Sequence, residues 1–342
     1  MPDDFLYRLP PYTVNEVLFP HEVTEIIDYG LAQNNVPSLW ARTKGKGVRV
    51  GIVDTGCELD HEDLAGAIVG SRDFTRSPYA AYDKVGHGTH VAGIVGARQN
   101  GKGVVGVAPE VDLVIAKGLG DDGTGGSAGI VNAIDWLLSE RVHVINMSLG
   151  SPRPDFQILA AIRRAVDAGA FVIVAAGNSG PGAGVDYPGR FAETIAVAAV
   201  DQEGRIARFS SQGPEVDIAA PGQDVLSCYK RGEYAKLSGT SMATPFVTGA
   251  VVLMLAAHQQ PGKQTPIKTV QDLREHIKRT ATDAGPQGHD AAFGWGLINP
   301  GAMLPPEEPE PVIVPPPVTG EEYLYDIVRN GVHGTLVFKP IE

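Results

Sequence analysis

The sequence has 342 residues, of which 43% are hydrophobic, and its formal net charge is -12 with a pI near 5.2. An acidic chain without a Lys/Arg run lacks the concentrated basic surface that nucleic-acid binding requires, so we expect no nucleic-acid partner. The longest apolar run, 249–257, is too short to span a bilayer, and residues 1–20 show no secretory pattern. These features predict no membrane partner and a cytoplasmic location.

From residue 47 onward, short β-rich apolar runs alternate with helix-like segments. The predicted strands are 47–53, 112–117, 142–147, 171–176 and 194–200. The predicted helices between them are 88–99, 127–140 and 155–168. This alternation predicts an α/β fold, in which a mostly parallel twisted sheet carries helices on both faces.

Polar side chains follow three of these strands at the point where each strand ends. Asp54, Ser148 and Asn178 come directly after the strands at 47–53, 142–147 and 171–176. Ligands of such sheets bind beyond the carboxyl ends of the strands, so we expect all three side chains to line one crevice.

Two predicted helices begin at residues suited to nucleophilic catalysis. His87 stands in the motif Gly-His-Gly-Thr-His, and Ser241 opens a long apolar helix, 242–258, with Pro245 in its first turn. A serine at a helix N-terminus lies where the dipole favours developing negative charge. Two alternatives stay open: Ser241 is a helix cap, or His87 and His90 form a metal pair.

The remaining landmarks are two cysteines and a change of composition after Pro300. Cys57 and Cys228 are predicted to be free thiols in a reducing compartment. Residues 304–320 are rich in Pro and Glu and predict an extended linker. The tail, 321–342, is too short to fold by itself; it is either disordered or a strand-rich segment that docks elsewhere.

Residues 36–303 resemble the catalytic domain of the subtilisin-like serine proteases. The motifs Asp-Thr-Gly, His-Gly-Thr-His and Gly-Thr-Ser-Met-Ala-Thr-Pro occur here in that family's order. The resemblance implies that Ser241 attacks the carbonyl, His87 is the base and Asp54 orients it. It also implies that Asn178 binds the oxyanion, although a turn residue with left-handed backbone is the alternative. The expected function is that of a serine endopeptidase acting on polypeptide substrates.

The resemblance also implies where the substrate binds. Two backbone rails would pair with an extended peptide; they are Ser148, Leu149 and Gly150, and Gly123, Thr124 and Gly125. Ala176 and Gly177 would border the first specificity pocket, with Asp186 at its floor. A carboxylate there would favour Lys or Arg before the cut, unless Asp186 is a solvated loop acid.

Calcium is the cofactor that the resemblance implies. The expected ligands are Asp63, Asn100, Glu25 and the carbonyls of Arg98, Lys102 and Val104, an all-oxygen set that suits a hard cation. In the alternative interpretation, Asp63 caps a helix and the loop 98–104 is a plain hairpin.

The N-terminus is similar to the short pro-extension of intracellular subtilisins. Leu9, Pro10, Pro11 and Tyr12 match the Leu-Ile-Pro-Tyr signature with Pro in place of Ile, and a cysteine after Asp-Thr-Gly is also typical. The resemblance implies that residues 1–20 inhibit a peptidase domain at 21–303, with proline spoiling the geometry of their own cleavage. The resemblance also makes a homodimer a plausible assembly of this chain. The alternative for residues 1–20 is a disordered tail.

Two other function classes would use the same residues. A non-catalytic protease-like module would lack a triad or oxyanion residue, and none is missing. A metal-dependent hydrolase built on His87 and His90 would need a third ligand, and none is evident in the sequence.

Overall fold

The computed structural model describes residues 6–19, 24–258, 266–306, 323–329 and 332–338. The strands are β1 (Leu6–Arg8), β2 (Thr13–Leu18), β3 (Arg49–Asp54), β4 (Ile68–Asp73), β5 (Asp112–Lys117), β6 (Thr124–Gly126), β7 (Val144–Met147), β8 (Phe171–Ala175), β9 (Ile195–Val200), β10 (Val216–Pro221), β11 (Val225–Cys228), β12 (Tyr234–Ser238), β13 (Tyr323–Arg329) and β14 (Val332–Phe338). The helices are α1 (Tyr29–Gln33), α2 (Val36–Leu39), α3 (His87–Gly96), α4 (Ser127–Ser139), α5 (Phe156–Asp167), α6 (Thr240–His258), α7 (Val270–Thr280) and α8 (Pro300–Met303).

Seven strands form one parallel sheet in the order β10-β9-β8-β7-β3-β5-β4. The five predicted strands are β3, β5, β7, β8 and β9, and the predicted α/β fold is confirmed. β3 hydrogen-bonds to β5 on one side and to β7 on the other. Because the strand order reverses there, a crevice opens at the carboxyl end of β3, beside that of β7.

The sequence pattern missed the two edge strands of this sheet. β10 contains Asp217 and ends in Pro221, residue types that are depleted in strands, and β4 contains a glycine and a register shift. Proline is tolerated at an edge because one side of the strand makes no ladder hydrogen bonds. Their strand character comes from pairing with β9 and β5.

Helices cover both faces of the sheet because its buried strands are apolar on both sides. On β3, Val50 and Ile52 join the apolar cluster that contains α3 and α6. Val53 joins the opposite cluster, which contains α4 and α5. The four predicted helices therefore lie two on each face of the sheet, α3 and α6 on one and α4 and α5 on the other.

α6 is buried on nearly every side. By length and composition alone this helix could cross a membrane, but 94% of its most apolar window is buried inside the fold. A helix that is apolar all round is typical of a protein core. The residue at its second position, Ser241, is therefore carried on a rigid element.

Within the predicted N-terminal extension, residues 6–8 and 13–18 form strands. β1 pairs antiparallel with β6, and β2 extends the β11–β12 hairpin into a three-stranded sheet. In the tail, β13 and β14 pair as a hairpin. Most of the predicted linker, 307–320, lies outside the described residues.

Candidate active site

Asp54 and His87 form a buried hydrogen-bonded pair at the carboxyl end of β3. Asp54 Oδ1 lies 2.8 Å from His87 Nδ1, and both side chains are 0% exposed. The same oxygen accepts the backbone N–H of Thr55 at 2.7 Å. This bond fixes the imidazole so that Nε2 faces the crevice, the orientation that a general base needs.

Two glycines allow the helix carrying His87 to approach Asp54. Gly86 precedes the helix with φ of 99°, which favours glycine. A Cβ on Gly88 would lie 2.1 Å from the carbonyl oxygen of Gly56 and 3.1 Å from Asp54 Oδ1. Any side chain there would push the histidine away from its carboxylate.

Ser241 lies in the first turn of α6 and is fully buried. Its hydroxyl donates to the Ser148 carbonyl at 3.4 Å, and Ser148 Oγ donates to the Ser241 carbonyl at 2.9 Å. Within the described residues His87 Nε2 has no hydrogen-bond partner. The nucleophile and the base are assembled, but their proton-transfer contact is not made.

Asn178 is held so that its amide N–H₂ points into the crevice. Asn178 Oδ1 accepts the backbone N–H of Thr240 at 2.9 Å and its hydroxyl at 2.8 Å. Because a backbone N–H can only donate, the carbonyl end of the amide must face Thr240. Asn178 Nδ2 donates to the Pro11 carbonyl at 2.9 Å, which is the contact expected of an oxyanion donor.

Asp83 is a buried carboxylate that the sequence pattern did not reveal. It accepts the backbone N–H groups of Val85, Gly86 and Thr89 and the hydroxyls of Thr55 and Thr89 at 2.8–2.9 Å. Burial raises its pKa, and those hydrogen bonds oppose the rise. Asp83 ties the turn before His87 to the residue after Asp54, so it positions both partners of the pair.

Lys117 was missed as well. It ends β5 opposite Asp54, is fully buried, and donates to the Thr55 carbonyl while pairing with Asp121 at 3.0 Å. Asp121 lies just before the Gly123 rail. The signal in the sequence was a lysine at the end of the apolar strand β5. A buried ammonium needs a partner, so such a lysine is expected to bond to nearby polar groups.

Both predicted rails are occupied by the chain's own N-terminus. Arg8 donates to Gly150 O at 3.2 Å and accepts from Gly150 N at 3.0 Å, while Leu9 donates to Gly123 O at 3.2 Å. Beyond these contacts, β1 pairs along Thr124–Gly126 and buries Tyr7 completely. Tyr12 packs its ring edge-on against that of His87, with centroids 5.0 Å apart.

The structure brings Asp186 to the predicted pocket. Its backbone N–H donates to Ala176 O at 2.8 Å, and Cβ atoms built on Gly150 and Gly177 would lie 3.2 and 2.6 Å from its Oδ2. Burial raises the pKa of this half-buried carboxyl, and the charge of Arg8 opposes that rise. Asp186 therefore lies among the pocket residues.

His90, the second histidine of the motif, uses its Nε2 on the protein backbone. Its Nε2 lies 3.0 Å from the Val225 carbonyl and 2.9 Å from that of Ala235, so this nitrogen donates. Burial lowers the His90 pKa to about 3, which keeps the ring neutral. His90 supports the β11–β12 hairpin beneath the site.

The predicted calcium ligands gather in one place, and N–H donors bond to the carboxylates of Asp63 and Glu25. Asp63 accepts from Asn100 Nδ2 at 3.0 Å and from Val104 N at 2.8 Å, and Glu25 accepts from Asn100 N at 2.9 Å. Lys102 turns its ammonium to Glu62. The turn's cap is His61 and not Asp63.

The model of the subtilase family matches residues 45–296. An intracellular serine protease of Paenibacillus polymyxa is 41% identical over 247 residues, which cover 70% of this chain and 76% of that protein. The major intracellular serine protease of Bacillus subtilis (strain 168) is 37% identical over 283 residues, covering 80% and 88%. Subtilisin Savinase of Lederbergia lenta is 39% identical over 274 residues, covering 80% and 97%.

Proposed function

Because the chain belongs to the subtilase family and is a subtilisin-like serine endopeptidase, we propose that its own N-terminus holds it latent. The inhibitory segment is the strap, defined here as residues 6–18. The observation that carries this proposal is the bond from Asn178 to the Pro11 carbonyl, made while Arg8 and Leu9 occupy both rails. A substrate would need the same donors and acceptors, so strap and substrate exclude each other.

The two prolines of the strap explain how it binds without being cut. Arg8 uses both its N–H and its carbonyl on Gly150, so the next residue of an antiparallel pair to face this rail is Pro10, opposite Ser148. Pro10 has no N–H to donate. The Ser148 carbonyl accepts the Ser241 hydroxyl instead, which keeps that hydroxyl from His87.

Once the strap leaves, the site performs acyl transfer with its own groups. Ser241 Oγ attacks the substrate carbonyl carbon as His87 Nε2 takes its proton, and Asp54 stabilises the imidazolium. Asn178 Nδ2 and the Ser241 N–H stabilise the oxyanion. His87 then protonates the leaving amine, and water attacks the acyl-enzyme by the same route to release the acid.

Self-processing tests latency directly. Intact-mass spectrometry of the purified full chain should show loss of an N-terminal piece of about the length of the strap, with activity rising in parallel. The Ser241→Ala chain should stay intact under the same conditions. Full activity in a chain whose mass has not changed would refute the proposal.

We further propose that Asp186 favours Lys or Arg before the cut. Its carboxylate lies beside Gly150 and Gly177 with Arg8 as a neighbouring charge, so the pocket already tolerates a guanidinium nearby. A charged hydrogen bond contributes about 1.5–3 kcal/mol, which corresponds to roughly 10–100-fold in kcat/KM.

Replacing Asp186 should therefore change selectivity. Asp186→Asn in a strap-free chain should lower kcat/KM for Lys and Arg peptides at least about tenfold and leave Leu peptides nearly unchanged. Because burial raises the Asp186 pKa, the basic preference should be full above that pKa and fade as pH falls through it. A preference for Leu or Phe before the cut that Asp186→Asn leaves unchanged would contradict this role.

Calcium stays a prediction that metal removal can test. Binding would require Asn100 to turn its Oδ1 toward the ion in place of Nδ2. With calcium at 100 times its Kd, the stabilisation is about 2.7 kcal/mol, or roughly 4–5 °C in Tm for a domain of this size. Calcium added to the metal-free Ser241→Ala chain should raise its Tm by that amount. The Tm of the double variant, Ser241→Ala with Asp63→Asn, should stay unchanged when calcium is added. Equal shifts in both would place the ion elsewhere.

The relatives named intracellular support a cytoplasmic location for this chain. A homodimer also stays a prediction, which sedimentation of the Ser241→Ala chain would test. Nothing in the acidic composition favours a nucleic-acid partner.

A further inference from the structure

We propose that Lys117 is a positioning residue for peptide-bond hydrolysis, because its buried ammonium holds the Gly123 rail against the two loops that carry the catalytic pair. Lys117 is the last residue of β5, and its side chain is 0% exposed. Its Nζ donates to the carbonyl of Thr55, to that of Tyr82 at 3.3 Å, and to Asp121 Oδ1 at 3.0 Å. An ammonium has three N–H donors, so these three acceptors satisfy it.

Two of the three acceptors belong to the loops that hold Asp54 and His87. Thr55 directly follows Asp54, and its hydroxyl donates to Asp83 at 2.9 Å. Tyr82 directly precedes Asp83, the carboxylate that accepts N–H groups from the turn before His87. The ammonium therefore fastens the loop after Asp54 and the loop before His87 to the end of β5.

The third acceptor lies in the loop that forms the rail. A backbone hydrogen bond of 2.9 Å across residues 120–123 closes a tight turn, and Asp121 stands in this turn. Besides the ammonium on Oδ1, Asp121 accepts the Ser77 hydroxyl on Oδ2 at 2.9 Å. The Gly123 carbonyl at the end of the turn accepts the N–H of Leu9 at 3.2 Å. The role of this rail rests on the proposed function, in which the strap takes the place of substrate.

The burial of the ion pair suits it to fixing a position. The Lys117 side chain has no exposure to solvent, whereas that of Asp121 is 29% exposed. A buried ammonium that loses its carboxylate keeps only neutral acceptors, which is unfavourable, so Asp121 is held to one place. A small displacement of a bound substrate can cost much of the rate. Through this pair, a peptide on the Gly123 carbonyl is presented to Ser241 in a fixed position.

Two esters that share their last residue and leaving alcohol separate this role from a general effect on stability. A single-residue N-acetyl ester ends before the position that Leu9 fills, whereas a four-residue ester places a backbone N–H on the Gly123 carbonyl. The measured quantity is kcat/KM for the four-residue ester divided by kcat/KM for the single-residue ester, in the full chain. Both esters need a folded chain and an open strap, so neither lower stability nor latency changes this ratio. If the proposed latency fails, the test still stands.

The variants of Asp121 test the rail side of the link. Asp121→Ala should lower the ratio at least about threefold, as expected when one hydrogen bond is weakened, with the single-residue ester nearly unaffected. Asp121→Asn keeps an acceptor for Lys117, so its ratio should lie between those of the parent chain and Asp121→Ala. Ser77→Ala is the matched control, because it removes the other partner of Asp121 and should keep the parent ratio. An unchanged ratio in Asp121→Ala, or an equal fall in Ser77→Ala, would overturn the proposal.

Lys117→Met tests the side of the catalytic pair. It should lower the ratio as Asp121→Ala does. It should also lower kcat for the single-residue ester at least about tenfold, because the carbonyls of Thr55 and Tyr82 lose a buried donor. Circular dichroism verifies folding, and a folded Lys117→Met chain that hydrolyses both esters at the parent rates would show that Lys117 positions nothing. The Asp121 variants decide the proposal if Lys117→Met does not fold.

Discussion

A chain that begins at Phe19 should hydrolyse a peptide substrate at least about thirtyfold faster, in kcat/KM, than the intact full chain. The strap places four hydrogen bonds on substrate positions: two between Arg8 and Gly150, one from Leu9 to Gly123 and one from Asn178 to Pro11. Each contributes about 0.5–1.5 kcal/mol, and ordering the strap offsets part of the sum. A net strap stability of only ~2 kcal/mol leaves about one chain in thirty open.

The measurement is the initial rate of both chains, with intact mass confirming that the full chain is still uncut. As a control, a synthetic peptide of residues 6–18 should inhibit the shortened enzyme competitively, and the same peptide with Tyr7→Ala should inhibit less because Tyr7 is fully buried on binding. Equal initial rates, or a peptide that leaves the rate unchanged, would count against an inhibitory strap.

Asn178→Ala in the strap-free chain should lower kcat about 10²–10³-fold with little change in KM. That magnitude is the loss measured when the oxyanion-hole asparagine of a subtilisin is removed, and it applies to this chain by family membership. The physical reason is that the amide contributes mainly when charge develops on the substrate oxygen. An unchanged kcat would show that another group holds the oxyanion.

Thr240 offers the matched control for that experiment. Its hydroxyl donates to Asn178 Oδ1, while its backbone N–H makes a second bond to the same oxygen. Thr240→Ser keeps the hydroxyl and should retain nearly full kcat. Thr240→Val removes one of the two hydrogen bonds that orient the Asn178 amide. Its kcat should therefore lie between that of the parent chain and that of Asn178→Ala.

The triad and Asn178 could be placed from sequence because each lies in a local motif at the end of a regular element. Parallel strands bring their carboxyl ends to one edge, so Asp54, Ser148 and Asn178 had to converge once the strands were recognised. The strap's position was implied by its proline signature. Its side-by-side pairing with β6 and β12 could not be predicted from residues 6–18, whose partners lie more than 100 positions away.

The residues that sequence missed act through distant contacts. Asp83 gathers donors from Thr55 and from the turn before His87, and no local pattern marks a loop aspartate as the centre of such a group. The residues predicted to hold calcium do meet in the fold, since Asn100 and Val104 both donate to Asp63.

The strand β2 is held chiefly through its main chain, and its side chains are mostly exposed. Two side chains in the middle of the strand add to that ladder, since Asn15 donates to Ser238 Oγ at 2.7 Å and Glu16 pairs with Lys236 at 2.8 Å. Neither side chain touches Asn178 or a rail. Substitution of Asn15 or Glu16 should therefore change how firmly the strap is fastened and leave the groups that act on substrate as they are.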